Sequence, residues 1–84
     1  MPRFYFDLHN GMGFTRDEEG QSVPDEAAAR DLAIDNIRSI LSDEVRAGAL
    51  DLTGVVEIRR DTGGSLMQVR FDEAVSLRLP GGLP

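Results

Sequence analysis

Asp61-Thr62-Gly63 matches the catalytic triplet of aspartic proteases. That chemistry needs two aspartates that share one proton, each in a loop supported by apolar strands. Here Arg59 and Arg60 precede the triplet, and the chain holds no second copy. A homodimer could supply the second aspartate, but Asp-Thr-Gly-Gly is also ordinary turn chemistry, since glycine adopts positive φ without steric cost. The triplet therefore predicts a hairpin turn and not a catalytic site.

A lone histidine and an acidic run are the other candidates for chemistry. His9 has no cysteine, serine or second histidine placed to complete a catalytic or metal-binding set. Asp17-Glu18-Glu19, with Asp7 and Asp25, could cluster around a divalent cation. However, Asp-Glu-Glu-Gly lacks the alternating oxygens and the central glycine of calcium loops. We predict no catalytic, cofactor-binding or metal-binding residue, and we interpret these charges as solvated loop side chains.

A second set of polar residues suits binding rather than catalysis. Tyr5 and Arg16 are expected on the open face of a sheet, and a Tyr/Arg face has the composition of an interface. The second hairpin is expected to add further polar residues to this face: Glu57, Arg59, Gln68 and Arg70. Such a composition is equally that of any solvated antiparallel sheet. Arg30 falls within the apolar stripe of a helix, where it either reaches water or meets a carboxylate of the Asp17 turn or of a partner chain. The candidate partner-binding residues are Tyr5, Arg16, Asp17 and Arg30.

The segment from Asp25 to Gly48 has the clearest periodicity in the chain. Its apolar residues recur at the spacing of one helical face: Ala29, Ala33, Ile37, Ile40, Leu41 and Val45. Asp25 can accept hydrogen bonds from the first free backbone N–H groups, and Pro24 keeps the helix from starting earlier. Gly48 can adopt the left-handed conformation that closes the last turn. The pattern predicts one amphipathic helix more than about 30 Å long.

A hairpin is predicted before this helix. Residues 3–8 alternate between apolar and polar side chains, and the Asn-Gly that follows them favours a turn. We expect a five-residue loop that places Leu8 opposite Phe14, because the aromatic residues then share the buried face. The chain returns along residues 14–17.

A second hairpin is predicted after the helix. Residues 55–60 and 65–71 form its strands, joined by the turn that contains Asp61. The register places Ile58 opposite Met67, so that the apolar side chains of both strands share one face.

The predicted fold class is α+β, a two-layer sandwich in the order hairpin, helix, hairpin. One long helix covers the apolar face of an antiparallel sheet of about four strands. Val75, Leu77 and Leu79 alternate with polar residues and predict one more short strand. We expect residues 1–79 to form a single domain and residues 80–84 a flexible C-terminal tail.

Composition argues against several classes of function. The 84 residues support one domain with a thin core, which an oligomer would help to stabilise. The chain has no cysteine, which excludes disulfides and thiolate chemistry. Its acidic residues outnumber its arginines and give a net charge of −6, which repels the phosphate backbone of nucleic acids. It shows neither a signal peptide nor an apolar run of the ~20 residues that span a membrane. We predict a cytoplasmic protein that binds neither nucleic acid nor membrane.

Two stretches together carry a resemblance to a known family. Pro2-Arg3-Phe4-Tyr5-Phe6-Asp7 opens the chain, and Asp17-Glu18-Glu19-Gly20 leads into Val23-Pro24-Asp25 and Ala27-Ala28-Ala29-Arg30. From Pro2 to about Leu79 the chain resembles a family of small proteins from rhizobia, methylobacteria and related alphaproteobacteria, a domain of unknown function. The usual family pattern has Tyr then Phe where this chain has Phe4-Tyr5-Phe6. The resemblance implies a bacterial, soluble, stand-alone domain and brings no catalytic residues with it.

The sequence leaves three hypotheses open. The leading one is a small non-enzymatic module that binds another protein or forms a homodimer, through its sheet edge or its open sheet face. The alternative is an antitoxin-like neutraliser of a basic toxin, since the layout of hairpin, extended piece and helix is similar to HicB-type antitoxins. The third is a small-ligand enzyme or binder in which the side chains of Tyr5, Arg16, Asp17 and Arg30 converge.

Overall fold

In the computed structural model, which describes residues 1–81, one helix packs across one face of an antiparallel sheet. The helix is α1 (Glu26–Arg46). The strands are β1 (Arg3–Asn10), β2 (Gly13–Thr15), β3 (Gln21–Ser22), β4 (Val55–Arg60) and β5 (Ser65–Arg70). Their order is β2-β1-β4-β5, and β3 pairs with the same edge of β1 as β2 does. The predicted α+β class, with one helix on an antiparallel sheet, is confirmed.

The core lies between α1 and the sheet. The buried residues of α1 follow one another at every fourth position: Ala29, Ala33, Ile37 and Leu41. They pack with buried residues of the sheet and of the chain just after it: Phe4, Val56, Ile58, Val69 and Phe71. Val45, which was predicted on the apolar face, is 57% exposed. The last turns of α1 face the segment that follows β5 rather than a strand, so the core thins out there.

Asp25 begins α1 as predicted. Its Oδ1 accepts a hydrogen bond from the backbone N–H of Ala28 at 2.8 Å. We expect Asp25→Ala to lower the free energy of unfolding by about 1 kcal/mol, because an N–H in the first turn loses its partner. Urea denaturation followed by circular dichroism measures the change. Asp35→Asn, on the exposed side of α1, is the control, and equal losses in both variants would contradict the capping role.

Gly48 ends the helix as predicted. It has φ +89°, and its N–H donates to the carbonyl of Val45 at 3.0 Å. The N–H of Ala49 donates to the carbonyl of Glu44 at 2.9 Å. These two hydrogen bonds form a Schellman motif, which satisfies carbonyls that have no partner within the helix.

The register predicted for the first hairpin is wrong. Phe14 pairs with His9, not with Leu8. The connection is a tight turn in which the side chain of Asn10 accepts the N–H of Met12 at 2.9 Å. This local turn chemistry determines the register, and Phe14 therefore lies on the face away from α1. There it packs against the ring of His9, with 4.6 Å between ring centroids, and is 54% exposed.

The register predicted for the second hairpin is confirmed. Ile58 lies opposite Met67. In the connecting turn the N–H of Gly63 donates to the carbonyl of Arg60 at 2.9 Å, and Gly63 has φ +93°. The protease-like triplet is therefore part of a hairpin turn, as predicted.

The strand predicted from Val75 to Leu79 is not formed within the described residues. A 3-10 turn (Phe71–Glu73) follows β5 and directs the chain toward the helix. There the carbonyl of Ala74 accepts a hydrogen bond from Arg38 Nε at 2.7 Å. This contact with α1 takes the place of pairing at the sheet edge. The division into a 1–79 domain and an 80–84 tail stays a prediction, and residues 82–84 lie outside the described residues.

Candidate interaction surface

The face of the sheet turned away from α1 carries most of the polar candidates. In the pairing of β1 with β4, Tyr5 lies opposite Arg59 and Asp7 lies opposite Glu57, and all four share this open face. Asp7 is nevertheless only 2% exposed, and the side chain of Arg59 is 11% exposed. The centre of the open face is therefore largely closed to solvent.

Asp7 and Arg59 form an ion pair at this centre. Arg59 Nε donates to Asp7 Oδ2 at 2.7 Å, and Nη2 lies 3.5 Å from Oδ1. The guanidinium also lies 4.7 Å from the centroid of the Tyr5 ring. One cation thus contacts a carboxylate and an aromatic face, both of which attract it. The backbone of Asp17 completes the set, since its N–H donates to Asp7 Oδ1 at 2.8 Å and its carbonyl accepts Arg59 Nη2 at 3.0 Å.

The side chain of Asp17 fills a gap in the sheet edge. Between β2 and β3 the chain leaves β1, and the pairing register changes across the interruption. Asp17 Oδ2 accepts the N–H of Phe6 at 3.0 Å, in the middle of the gap. Asp17 Oδ1 accepts the N–H groups of Glu19 and Gly20 at 3.1 and 3.0 Å. The carboxylate thus takes the role that the backbone of a continuous edge strand would have.

The surroundings of Asp7 keep it ionised. Burial is the largest single influence and opposes the charge, but the hydrogen bonds from Arg59 and Asp17 and the charges of Arg59 and Arg16 together hold the pKa of Asp7 below its ordinary value. The hydrogen bond to Asp7 raises the pKa of Arg59. Neither group is therefore suited to exchange protons near neutral pH, which general acid–base catalysis requires.

The outer edge of β5 presents backbone groups to solvent. The N–H of Phe71 donates to the carbonyl of Gly54, on the β4 side, at 2.9 Å. The N–H of Arg70 points the other way and donates to Glu73 Oε1 at 3.0 Å. The backbone groups of successive residues in a strand point alternately toward one neighbouring strand and toward the other side. Gln68 is two residues from Arg70, so its N–H and C=O also point outward, away from β4. Within residues 1–81 they have no hydrogen-bond partner.

A protein-family model described as a domain of unknown function (DUF6894) matches residues 3–72. The chain belongs to this family. The DUF6894 match covers α1 and every strand of the sheet, and it confirms the predicted membership of a domain of unknown function. The alphaproteobacterial source stays a prediction. No curated protein and no solved structure matches the chain.

The DUF6894 structure brings together only part of the predicted binding set. Tyr5 and Asp17 meet around Arg59. Arg16 is exposed and, with Asp17, lines an open concavity of about 660 Å³ beside the sheet edge. Arg30 lies elsewhere, with its Nη2 3.5 Å from Glu73 Oε2, just beyond β5 at the opposite edge. A small-ligand site built from all four side chains is therefore not formed, because the sheet separates Arg30 from the others. Their role in partner binding stays a prediction.

The described part of the DUF6894 domain contains neither a cluster of side chains that could hold a metal ion nor a helix that could span a membrane. Among residues 1–81, no three side chains of the kinds that bind metal ions come together. Nor does any helix there combine the length and apolar character that crossing a membrane requires. The cytoplasmic location stays a prediction.

Sequence reasoning weighed Asp7 only as a possible cation ligand and placed Arg59 and Gln68 on the open face, but it selected none of the three as a site residue. Asp7 and Arg59 are polar residues at alternating strand positions, like several others, and only the pairing of β1 with β4 brings them together. Arg59 directly precedes another arginine at the end of a strand, which gives no indication of an ion pair. For Gln68 the sequence did carry a signal of an unprotected strand edge, since residues 65–69 contain neither the charges nor the proline that discourage edge pairing.

Proposed function

We propose that this DUF6894 domain is a non-enzymatic self-associating module in which two copies pair along their β5 strands. The observation that carries the proposal is the outward-facing, unpartnered N–H and C=O of Gln68. An exposed strand edge is a template for another strand. Addition of a strand to such an edge is a common mode of protein recognition.

The two edges of the sheet differ in how they are protected. On the β1 side the edge strands have only 3 and 2 residues, and the charged loop at Asp17 separates them. Short strands and charged interruptions are the features by which proteins prevent edge pairing. β5 has six residues, and its one charge, Arg70, lies at its end. Pairing is therefore expected at β5 and not at the opposite edge.

If a two-fold axis passes beside Gln68, the apolar face of the sheet continues from one copy into the other. In an antiparallel pair centred on Gln68, Met67 of one copy lies opposite Val69 of the other. Both side chains face the α1 side, and Met67 is only partly buried in a single copy. Pairing would cover it, and burial of apolar surface favours association. Since each copy carries a net charge of −6, added salt should strengthen this association.

Gln68→Pro tests the proposal, because proline removes the N–H that a second β5 strand would accept. The N–H of Gln68 has no partner within residues 1–81, and edge strands tolerate proline at such positions. Sedimentation equilibrium should show a dimer for the natural chain and a dissociation constant at least about tenfold higher for the variant, a loss of one ordinary hydrogen bond or more.

Gln68→Ala is the matched control, since it changes the side chain but keeps the N–H, and it should dimerise like the natural chain. Circular dichroism verifies that both variants fold. A natural chain that sediments as a monomer at every concentration would overturn the proposal. A Gln68→Pro dimer of unchanged affinity would also overturn it.

The antitoxin alternative receives no specific support from the described residues. Its expectation of an acidic surface is met by composition alone, and composition does not distinguish it from other acidic proteins. It stays a prediction, to be tested by a neighbouring gene for a small basic toxin.

A further inference from the structure

An apolar groove lies between the second half of α1 and the segment that follows the 3-10 turn. Leu41, Val45 and Leu50 line one part of it, and Val75 and Leu77 line the other. Its volume is about 460 Å³, within the range of ligand-binding clefts. Val45, Leu50 and Leu77 are each at least half exposed. Three large apolar side chains thus meet solvent around one concavity, on the opposite side of the sheet from the Asp7–Arg59 pair.

The rim of this groove is basic although the chain is acidic. Arg38 and Arg46 line the groove on the α1 side, and Arg78 directly follows Leu77 in sequence. Within residues 1–81 no carboxylate forms a salt bridge with any of these three arginines, whereas the four arginines in salt bridges are Arg30, Arg59, Arg60 and Arg70.

The acidic residues nearest in sequence do not neutralise the rim. Asp35 lies three positions before Arg38, and Asp43 and Glu44 lie three and two positions before Arg46. Within residues 1–81 none of these carboxylates comes within salt-bridge distance of either arginine. Arg38 is held in place by the hydrogen bond from its Nε to the carbonyl of Ala74, which leaves its terminal nitrogens available. The groove therefore combines apolar walls with available guanidinium groups.

We propose that this groove binds a short acidic amphipathic peptide segment of another protein. Apolar side chains of the segment enter the groove, and its carboxylates bind Arg38 and Arg46. These two arginines are eight positions apart, which is about 12 Å along the helix axis. An extended peptide covers that distance in about four residues. The fitting segment thus has two carboxylates about four residues apart with apolar side chains between them.

Charge and shape favour a peptide over the other occupants. An anionic membrane presents many more negative charges than a short peptide to a protein with a net charge of −6, so long-range repulsion opposes the membrane more strongly. A membrane is also broad, whereas the apolar residues here surround a concavity. A second copy of this chain brings a net charge of −6, so long-range repulsion between whole chains opposes it more than it opposes a short peptide. This inference is independent of β5 pairing, because the groove lies on α1 and not on the sheet edge.

Selection of peptides provides the test. Random dodecapeptides displayed on phage are selected on the intact chain, and enriched peptides are synthesised and titrated by fluorescence anisotropy. We expect peptides with Asp or Glu flanking apolar residues. Arg46→Glu should weaken their binding at least about tenfold, because an attractive charge becomes a repulsive one.

Arg3→Glu is the matched control, since it makes the same charge change at an exposed arginine that does not line the groove. It should leave the affinity within about twofold, because a charge outside the groove is screened by physiological salt. Arg46→Gln replaces Arg46→Glu if circular dichroism shows that the latter does not fold. Enriched peptides without carboxylates, or equal losses with Arg3→Glu, would overturn the proposal. Binding of phosphatidylglycerol vesicles that is lost in Arg46→Glu, in the absence of peptide binding, would overturn it in favour of a membrane.

Discussion

Asp7→Asn should lower the free energy of unfolding by about 3 kcal/mol, because it leaves the guanidinium of Arg59 without a carboxylate in a largely buried site. The Asp7 carboxylate accepts from the N–H of Asp17 and from Arg59 at the same time. An amide has one acceptor oxygen and must turn its NH₂ group toward one of these donors. Urea denaturation followed by circular dichroism measures the loss.

Glu57→Gln is the matched control for this prediction. Glu57 lies directly opposite Asp7 on the same face, and within residues 1–81 its carboxylate accepts a single hydrogen bond, from the Ser65 hydroxyl at 3.3 Å. Either substitution relieves the repulsion between the two facing carboxylates. The difference in unfolding free energy between the two variants therefore measures the contribution of the ion pair. We expect Glu57→Gln to change stability by less than about 0.5 kcal/mol. Equal urea midpoints for both variants would show that the ion pair contributes nothing.

The same ion pair predicts a specific loss of stability in acid. Since the pKa of Asp7 is lower in the folded state than in the unfolded chain, the unfolded state binds the proton more tightly. The contribution of Asp7 is therefore complete above the unfolded pKa of about 3.9 and is lost as the pH falls through the folded pKa. The difference in unfolding free energy between the natural chain and Asp7→Asn should be constant from neutral pH to about pH 5 and shrink below about pH 4. A difference that does not change with pH would exclude this origin.

The parts of the fold that the sequence predicts correctly are those determined by local contacts. Asp25 and Gly48 limit the helix through hydrogen bonds to residues no more than a few positions away. The second hairpin has its register because a short turn joins two strands whose apolar residues match, as Ile58 and Met67 show. In each case the residues that determine the structure are close together in the sequence.

The wrong predictions arose where a second contact competed with the pattern. At Phe14 burial favoured one register, but the hydrogen bond within the Asn10 turn favoured another, and the turn prevailed. After β5 the alternation of apolar residues favoured a strand. The hydrogen bond between Arg38 and the Ala74 carbonyl instead directs that segment along α1. Alternation alone does not say which neighbour an apolar segment will cover.

The centre of the open face was unpredictable for a different reason. Asp7 and Arg59 are 52 residues apart in sequence, and only the order of the strands makes them neighbours. Strand order leaves little trace in local patterns, since any two amphipathic strands can pair with their apolar sides together. The interruption at Asp17 is similar, because the acidic turn resembles a solvated loop until its carboxylate is seen to accept the Phe6 N–H.

Gly20→Ala should lower the free energy of unfolding by about 3 kcal/mol, through the sum of a backbone cost and an overpacking cost. Gly20 has φ +70°, a conformation that costs alanine about 1 kcal/mol or more. A Cβ at this position would also lie 2.8 Å from the carbonyl oxygen of Phe4 and 2.9 Å from the ring of Tyr5. The backbone of β1 cannot yield cheaply, because it is paired with strands on both sides. Urea denaturation measures the total effect.

Gly63→Ala separates the two costs. Gly63 has φ +93°, which is farther from the left-handed minimum than the φ of Gly20. A Cβ at Gly63 would nevertheless meet no atom within 4 Å. Its substitution thus carries at least the same backbone cost without the contact. If the strain at Gly20 comes from the contact with Phe4 and Tyr5, Gly20→Ala must be clearly the less stable variant. Because Gly20 donates to Asp17 Oδ1, displacement of Gly20 should also loosen Asp17 and speed hydrogen exchange at the Phe6 amide. Equal stabilities, with a Phe6 amide as protected as in the natural chain, would mean that the loop moves aside without disturbing the edge of β1.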